Sequence, residues 1–172
     1  DGEMIEVVEG EYANENPNMT TVGLRYFNVY GPREYYKAKT SSMVIQLGHQ
    51  ILEGKTPRLF IGSDQIFRDF INIDDVIQAT INACNPIQNG VYNVGTGNPR
   101  SFQDIADILQ NELGTNLGTE YFPNPYDGYQ MHTQADITLT QANLNFKPKV
   151  SLEEGIKAYI PEIRRLHNEN IS

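Results

Sequence analysis

The chain has 172 residues, enough for one domain with a hydrophobic core, and a net charge of −9 from 13 basic and 22 acidic side chains. That balance argues against general nucleic-acid binding, which needs a basic face, but is compatible with a small anionic ligand held by a few local cations. The single cysteine, Cys84, excludes an internal disulfide, and we interpret it as a core residue because it lies in an apolar helical pattern. No apolar run approaches the ~18 residues of a membrane span and there is no basic, apolar leader, so we expect a soluble, cytoplasmic protein.

Strands and helices are predicted to alternate along the first half of the chain. Residues 1–12 read as the end of an acidic helix, and this abrupt start leads us to expect that the chain is part of a longer protein. The next predicted elements, in order, are a strand over Thr20–Phe27, a long polar loop over 28–40, a helix over Ser41–Glu53, a strand over Pro57–Ile61, a turn over Gly62–Gln65, one strand over Arg68–Ile73 and a helix that begins at Asp74 or Asp75 and runs to Cys84.

The second half continues the alternation. It is predicted to contain a strand over Val91–Val94, a capped helix over Ser101–Leu113, a strand over Glu120–Phe122, a loop over 123–134, a short helical turn over Asp136–Leu144 and a last helix that begins at Ser151. Pro161 should kink or interrupt that last helix. Alternating strands and helices predict βαβ units and a largely parallel sheet. Because several strands are short, we expect a smaller mixed α/β lobe rather than a full doubly wound domain.

Polar side chains at strand ends and in loops are the candidates for chemistry. Asn28 follows a buried strand, and ligands of open α/β sheets bind beyond the carboxyl ends of the strands. Arg68 offers a planar fork to a pair of phosphate oxygens, and ion pairing to Asp64 or Asp69 is the alternative of equal weight. His49 lies on a predicted helix, where a histidine is more often a packed or surface residue than a ligand.

Other features carry weaker signals. Tyr129 either stacks on a base or ribose or covers the core, and Lys37 and Lys39 lie in the long loop, where solvated lysines are common. Gly95-Thr96-Gly97 follows a strand as a phosphate loop would, but it lacks the third glycine of a dinucleotide fingerprint and the lysine of a P-loop. Three dispersed histidines and one cysteine give no ligand spacing, so we expect no metal site.

Three segments together carry a resemblance to a known family: RYFNVYGPRE (25–34), FRDFINIDDV (67–76) and YNVGTG (92–97). They resemble the C-terminal half of nucleotide-sugar epimerases and dehydratases of the extended short-chain dehydrogenase/reductase type. More specific segments are similar to the ADP-L-glycero-D-manno-heptose 6-epimerase family: the loop over 32–34 with Lys37, the pair Ser42-Met43, the turn over 60–63 and the stretch from Tyr129 to Asp136. The resemblance covers roughly residues 20–165.

The resemblance implies a Rossmann-type α/β fold in which residues 1–172 are the C-terminal, substrate-binding portion and the N-terminal NADP-binding portion is absent. Members of that family interconvert ADP-D-glycero- and ADP-L-glycero-D-manno-heptose for the lipopolysaccharide inner core. They use NADP to oxidise and re-reduce C6″ transiently, and they form homo-oligomers. The implied cofactor is therefore NADP, and the implied partner is ADP-heptose.

Roles carry over by position. The resemblance implies that Lys37, with Lys39 as fallback, is the second acid/base and a cofactor contact, and that Val29 is a cofactor contact. It implies substrate contacts at Asn28, Ser42, His49, Phe60, Ile61, Gly62, Ser63, Arg68 and Tyr129, with the turn over 60–63 above the ADP and Arg68 on the diphosphate.

Two family motifs are missing. The N-terminal glycine fingerprint is absent, and so is the Tyr-x-x-x-Lys pair, whose Tyr would fall at or just before residue 1 and whose Lys would fall near Glu3. We therefore expect the isolated chain to be inactive. Two alternatives remain open: another nucleotide-sugar epimerase or dehydratase, such as a UDP-hexose 4-epimerase, or a nucleotide-sugar binding module without chemistry.

Overall fold

The computed structural model describes residue 11, residues 14–15 and residues 18–169. It contains the strands β1 (Val22–Tyr26), β2 (Asn28–Tyr30), β3 (Arg58–Phe60), β4 (Phe67–Arg68), β5 (Phe70–Asn72), β6 (Gly90–Val94), β7 (Arg100–Ser101) and β8 (Glu120–Phe122). The helices are α1 (Met43–Leu52), α2 (Ile73–Asn82), α3 (Phe102–Leu113), α4 (Thr138–Leu144) and α5 (Leu152–Asn168), and a 3₁₀ segment spans Glu34–Thr40. The acidic helix predicted over 1–12 and the spacing-derived positions of the missing catalytic pair lie outside the described residues.

The strands pair two by two. β1 pairs with β6, β2 with β5 and β3 with β8, all parallel, whereas β4 pairs with β7 in antiparallel register. Each parallel pair is joined by a connection that contains a helix, as parallel strands require. The prediction of α/β architecture with mainly parallel pairing is therefore confirmed.

Two hydrophobic clusters form the core. The larger lies between α1, α3 and α5 and includes Leu47, Leu109 and Ile163, each with 0 % of its surface exposed. The smaller joins α2 and β6, with Val94 fully buried and Ala79 beside it. The three helices of the larger cluster bury residues spaced three and four apart, which is the period of an amphipathic helix.

Side-chain caps fix the beginnings of two of these helices. The side chain of Ser101 accepts a hydrogen bond from the Asp104 backbone N–H, and that of Ser151 accepts one from the Glu154 N–H; each acidic residue bonds back to its serine, which completes a capping box. Both predicted helix starts are confirmed.

Three predictions were wrong in part, two of them because of how the segments pair. The predicted loop over 28–40 contains β2 and the 3₁₀ segment, since Asn28–Tyr30 pairs with β5. The predicted single strand over Arg68–Ile73 is interrupted at Asp69, because β4 and β5 pair with different strands. Pro161 does not interrupt α5: buried residues on both sides of it, including Ile160 and Ile163, hold the helix against the core.

Cys84 is exposed rather than buried, so its assignment to the core was wrong. Helix α2 ends at Asn82, and Cys84 lies in the turn beyond it, where its Sγ donates a weak hydrogen bond to the Thr80 carbonyl. None of the helices in the described residues is both long and apolar enough to cross a membrane.

Candidate nucleotide-sugar site

An aromatic cavity of about 320 Å³ opens between α1, β3 and β8. Its lining residues are Met43, Gln46, Gln50, Arg58, Leu59, Phe60, Ser63, Phe102, Phe122 and Tyr129. The Phe60 ring packs edge-to-face against Phe122 at a centroid distance of 5.0 Å and against Tyr129 at 5.6 Å. Rings in this arrangement offer flat apolar faces on which a base can stack, and the volume lies at the lower end of ligand pockets.

The turn over 60–63 borders this cavity through Phe60 and Ser63. The Ser63 hydroxyl donates to the Phe60 carbonyl at 2.6 Å, and the Ser63 N–H donates to the same oxygen at 3.0 Å. Gly62 has a φ of 81°, a conformation that favours glycine. Ile61 is 63 % exposed and therefore lies at the outer rim rather than in the core.

Arg68 lies behind the aromatic cavity as a buried cation. Its guanidinium is 5.2 Å from the Tyr129 ring centroid and 5.8 Å from that of Phe102, and both rings line the cavity. It donates to the carbonyl oxygens of Phe67 and Gln130. A buried charge is costly unless it is compensated.

Neither of the carboxylates considered as partners of Arg68 forms an ion pair with it. Among the residues that the structure describes, no carboxylate pairs with this guanidinium, and the alternative of pairing to Asp64 or Asp69 is wrong. Within the described residues its partners are thus two carbonyl oxygens and two aromatic rings, without a carboxylate.

The carboxylate of Asp69 binds the Gly95–Gly97 loop, a structural role that we did not predict from the sequence. Its carboxylate accepts hydrogen bonds from the backbone N–H groups of Thr96 (2.7 Å), Gly97 (2.8 Å) and Ala135 (3.0 Å), and from the Thr96 hydroxyl (2.6 Å). The N–H groups that a phosphate loop would present are thus bound to a carboxylate of the chain itself. These hydrogen bonds attach the loop to Asp69, so its N–H groups at Thr96 and Gly97 are not available to a phosphate.

His49 lines a second, adjoining cavity of about 430 Å³, which we call the His49 cavity. Its lining residues are Tyr35, Ala38, Ser41, Ile45, Gln46, His49 and Gln50. Gln46 and Gln50, one helical turn apart on α1, line both cavities and so form the wall between them. His49 Nε2 is buried and has no hydrogen-bond partner among the described residues. Burial and the neighbouring His167 lower the pKa of His49, which favours a neutral imidazole.

Lys37 lies on the 3₁₀ segment that borders the His49 cavity. Its side chain is exposed, its carbonyl accepts a hydrogen bond from the Thr40 hydroxyl at 2.8 Å, and the neighbouring Tyr35 and Ala38 line the cavity. The side chain of Lys39, the fallback for the same role, is outside the described part of the chain. Ser42 follows this segment as the N-cap residue of α1, and its hydroxyl donates to Glu34, a buried residue that sequence reasoning also missed.

Asn28 and Val29 are placed apart from both cavities. They lie on β2, which pairs with β5. At the start of β2 the Asn28 N–H also donates to the Asp69 carbonyl at 3.0 Å. Asn28 is exposed, whereas Val29 packs against the smaller hydrophobic cluster. The structure therefore brings Phe60, Ser63 and Tyr129 together at one cavity, with Arg68 beside their rings, and places His49 at the next. Lys37 lies on the segment that borders the His49 cavity, and Ser42 lies between Ser41, which lines that cavity, and Met43, which lines the aromatic cavity.

Residues 4–95 match the model of the NAD dependent epimerase/dehydratase family. The chain belongs to this family. Compared with individual epimerases, it is 42 % identical over 148 residues to the ADP-L-glycero-D-manno-heptose-6-epimerase of Brachyspira hyodysenteriae, an alignment that covers 83 % of this chain and 46 % of that protein.

Solved epimerase structures agree with this assignment. The crystal structure of the Helicobacter pylori ADP-L-glycero-D-manno-heptose-6-epimerase matches with a TM-score of 0.81 and 44 % identity, over 90 % of this chain and 48 % of that one. A UDP-glucose 4-epimerase from Thermotoga maritima, crystallised with UDP-glucose, matches with a TM-score of 0.83 and 31 % identity, over 93 % of this chain and 50 % of that one. The chain thus spans about half the length of these relatives.

Proposed function

We propose that residues 1–172 are the substrate-binding portion of an ADP-L-glycero-D-manno-heptose 6-epimerase, whose NADP-binding portion lies outside this chain. The observation that carries the proposal is Arg68, a buried cation without a carboxylate partner among the described residues, placed behind an aromatic cavity. A nucleoside diphosphate matches both features, since its base can stack on the rings while its phosphates compensate the charge. The similarity to heptose epimerases, at 42 % and 44 % identity, favours ADP-heptose as the substrate.

In this proposal the nucleotide and the sugar occupy adjoining cavities. The turn over 60–63 covers the ADP, Arg68 and Tyr129 contact the diphosphate, and the sugar extends past Gln46 towards His49. His49, which lines the second cavity as a neutral imidazole, then contacts the sugar there. The proposal that one ligand spans both cavities is supported by Gln46 and Gln50, which line both of them.

Lys37 is proposed as the second acid/base of the reaction. Its exposed amine on the segment that borders the His49 cavity is free to approach a sugar carbinol and to hold or move the proton of its oxygen. Bound NADP would supply the hydride chemistry at C6″, and Val29, near the carboxyl end of a parallel strand, fits a contact to it. The first acid/base and the glycine fingerprint are not provided by this chain, so the isolated polypeptide is expected to be inactive.

A second candidate is a UDP-hexose 4-epimerase. It is favoured by the TM-score of 0.83 to the UDP-glucose enzyme, which slightly exceeds that to the heptose epimerase. A nucleotide-sugar binding module without chemistry is the third possibility. A homo-oligomeric, cytoplasmic enzyme of lipopolysaccharide precursor synthesis remains the expectation for the whole protein.

Isothermal titration calorimetry with ADP, UDP and ADP-heptose tests the proposal. We expect ADP to bind at least about 10-fold more tightly than UDP. Preference for UDP would favour the hexose epimerase, and a chain that binds neither nucleotide would contradict the proposed site altogether. Turnover by the isolated chain supplied with NADP and ADP-heptose would contradict the assignment of the redox machinery to another portion.

A further inference from the structure

The carboxylate of Glu34 joins the two ends of the loop that carries Lys37. Glu34 is only 5 % exposed. Its Oε1 accepts from the Ser42 hydroxyl at 2.7 Å and from the Gly31 N–H at 3.4 Å, and its Oε2 accepts from the Ser42 N–H at 2.7 Å. Gly31 begins the loop and Ser42 ends it, so one side chain closes the loop at both ends.

The backbone of this loop needs such a closure. Arg33 has a φ of 75° and Ala38 a φ of 47°, both in the left-handed region that residues with a Cβ seldom adopt. Strained residues of this kind persist only where the surroundings impose the conformation. Tyr159 on α5 lies next to the same carboxylate: burial, followed by the charge of Glu34, raises the pKa of its hydroxyl, which stays protonated.

Ser42 makes an unusual side-chain hydrogen bond for an N-cap residue. Serine at an N-cap position normally accepts a hydrogen bond from the helix backbone, as Ser101 and Ser151 do here. The Ser42 side chain accepts no such hydrogen bond, and its hydroxyl instead donates a hydrogen bond to the Glu34 carboxylate. Its oxygen can therefore only accept a further hydrogen bond, which sets what a ligand must offer to it.

We propose that Glu34 is a positioning residue for the sugar end of the site: it fixes the loop that carries Lys37 and orients Ser42 Oγ as an acceptor for a sugar hydroxyl. The inference rests on the proposed function, because it assumes that a nucleotide sugar extends into the His49 cavity. Glu34 itself acts through Ser42 and the loop, and the nucleotide end of the ligand, at Arg68 and the aromatic cavity, does not depend on it.

The test compares the affinities of ADP and ADP-D-glycero-D-manno-heptose, measured by calorimetry, for the whole chain and its variants. Glu34→Gln removes the charge and places an amide opposite the Ser42 N–H. We expect it to weaken ADP-heptose binding by about 5- to 10-fold, as the loss of one hydrogen bond would, and to change ADP binding by less than about twofold. The matched control is Glu154→Gln, because Glu154 accepts the N–H and hydroxyl of Ser151 in the same pattern, on α5. This control should leave both affinities unchanged.

A double-mutant cycle separates positioning from a general structural role. Ser42→Ala should cause the same selective loss, and the Glu34→Gln/Ser42→Ala double variant should lose no more than either single variant. Equal losses for both ligands, additive losses or unchanged affinities would overturn the inference. A wild-type chain that binds ADP and ADP-heptose equally well would overturn the inference alone, whereas one that binds neither would overturn the proposed function and the inference with it.

Discussion

Replacement of Asp69 by alanine is expected to be among the most destabilising single changes in the chain. The Asp69 side chain has 0 % of its surface exposed, and its carboxylate accepts from three backbone N–H groups and one hydroxyl at 2.6–3.0 Å. A buried donor left without a partner costs about 1–3 kcal/mol. The Ala135 N–H is fully buried, whereas those of Thr96 and Gly97 are only partly so and can regain water. We therefore expect a total loss of about 3–5 kcal/mol in the free energy of unfolding.

Urea denaturation followed by circular dichroism measures this loss directly. A reduction of about 3–5 kcal/mol would remove a large share of the ~5–15 kcal/mol that stabilises an ordinary domain. Asp64→Ala is the control, because Asp64 is exposed and, among the described residues, its side chain bonds only the neighbouring Gln65, at 3.1 Å. Its cost should stay below about 0.5 kcal/mol. An Asp69→Ala variant within about 1 kcal/mol of the wild type would refute the reasoning that buried backbone donors depend on this carboxylate.

Three further predictions concern the site and the core. Arg68→Met should weaken ADP binding by at least about 10-fold in calorimetry. It should also lower thermal stability, because the carbonyl oxygens of Phe67 and Gln130 lose their donor. An unchanged ADP affinity would contradict the diphosphate role. Gly155→Ala should lower the melting temperature, because a Cβ there would overlap the Tyr30 hydroxyl and lie 2.8 Å from its Cζ, and a rise in melting temperature would show that helix propensity outweighs the overlap. His49→Gln should flatten the dependence of the free energy of unfolding on pH below about 6.5. The pKa of His49 is lowered in the folded chain, so the unfolded chain binds the proton at a higher pH than the folded chain does. The wild type therefore loses stability as the pH falls through that range, whereas the variant should not. Equal slopes for variant and wild type would contradict this assignment.

Elements governed by local sequence could be predicted. Helices α3 and α5 begin at Ser101 and Ser151, as expected, because a capping box is contained within four consecutive residues. The period of apolar residues gave α1 and its buried face to within two residues at its start and one at its end.

Features that depend on distant partners could not be predicted. Asp69 looks like an ordinary acidic residue in the sequence, and only the fold brings Thr96 and Ala135, 27 and 66 residues away, to its carboxylate. Glu34 lies in a polar loop, yet it is buried near Tyr159 of α5, which is distant in the sequence. Cys84 fits the helical period, but the helix ends two residues earlier, and helix ends are the least predictable boundaries.

The candidate site was predictable mainly through the family resemblance. Residues of the turn over 60–63 and Tyr129 carry no periodic signal, yet the structure brings Phe60, Ser63 and Tyr129 to one cavity. Gln50, which lines both cavities, was missed because a glutamine on an amphipathic helix reads as a solvated position. Asn28 and Val29 lie away from both cavities, so their predicted contacts depend on a ligand or protein portion beyond the described residues.

We propose that the aromatic cavity and Arg68 together hold the diphosphate nucleotide. This proposal is tested most directly by titrating ADP into the isotope-labelled chain and mapping the perturbed backbone amides by NMR. We expect shifts concentrated at residues 60–63, Arg68 and Tyr129. The amides of Thr96 and Gly97 should be unaffected because they are bound to Asp69. Shifts confined to Gly95–Gly97, or an absence of shifts at saturating ADP, would contradict it.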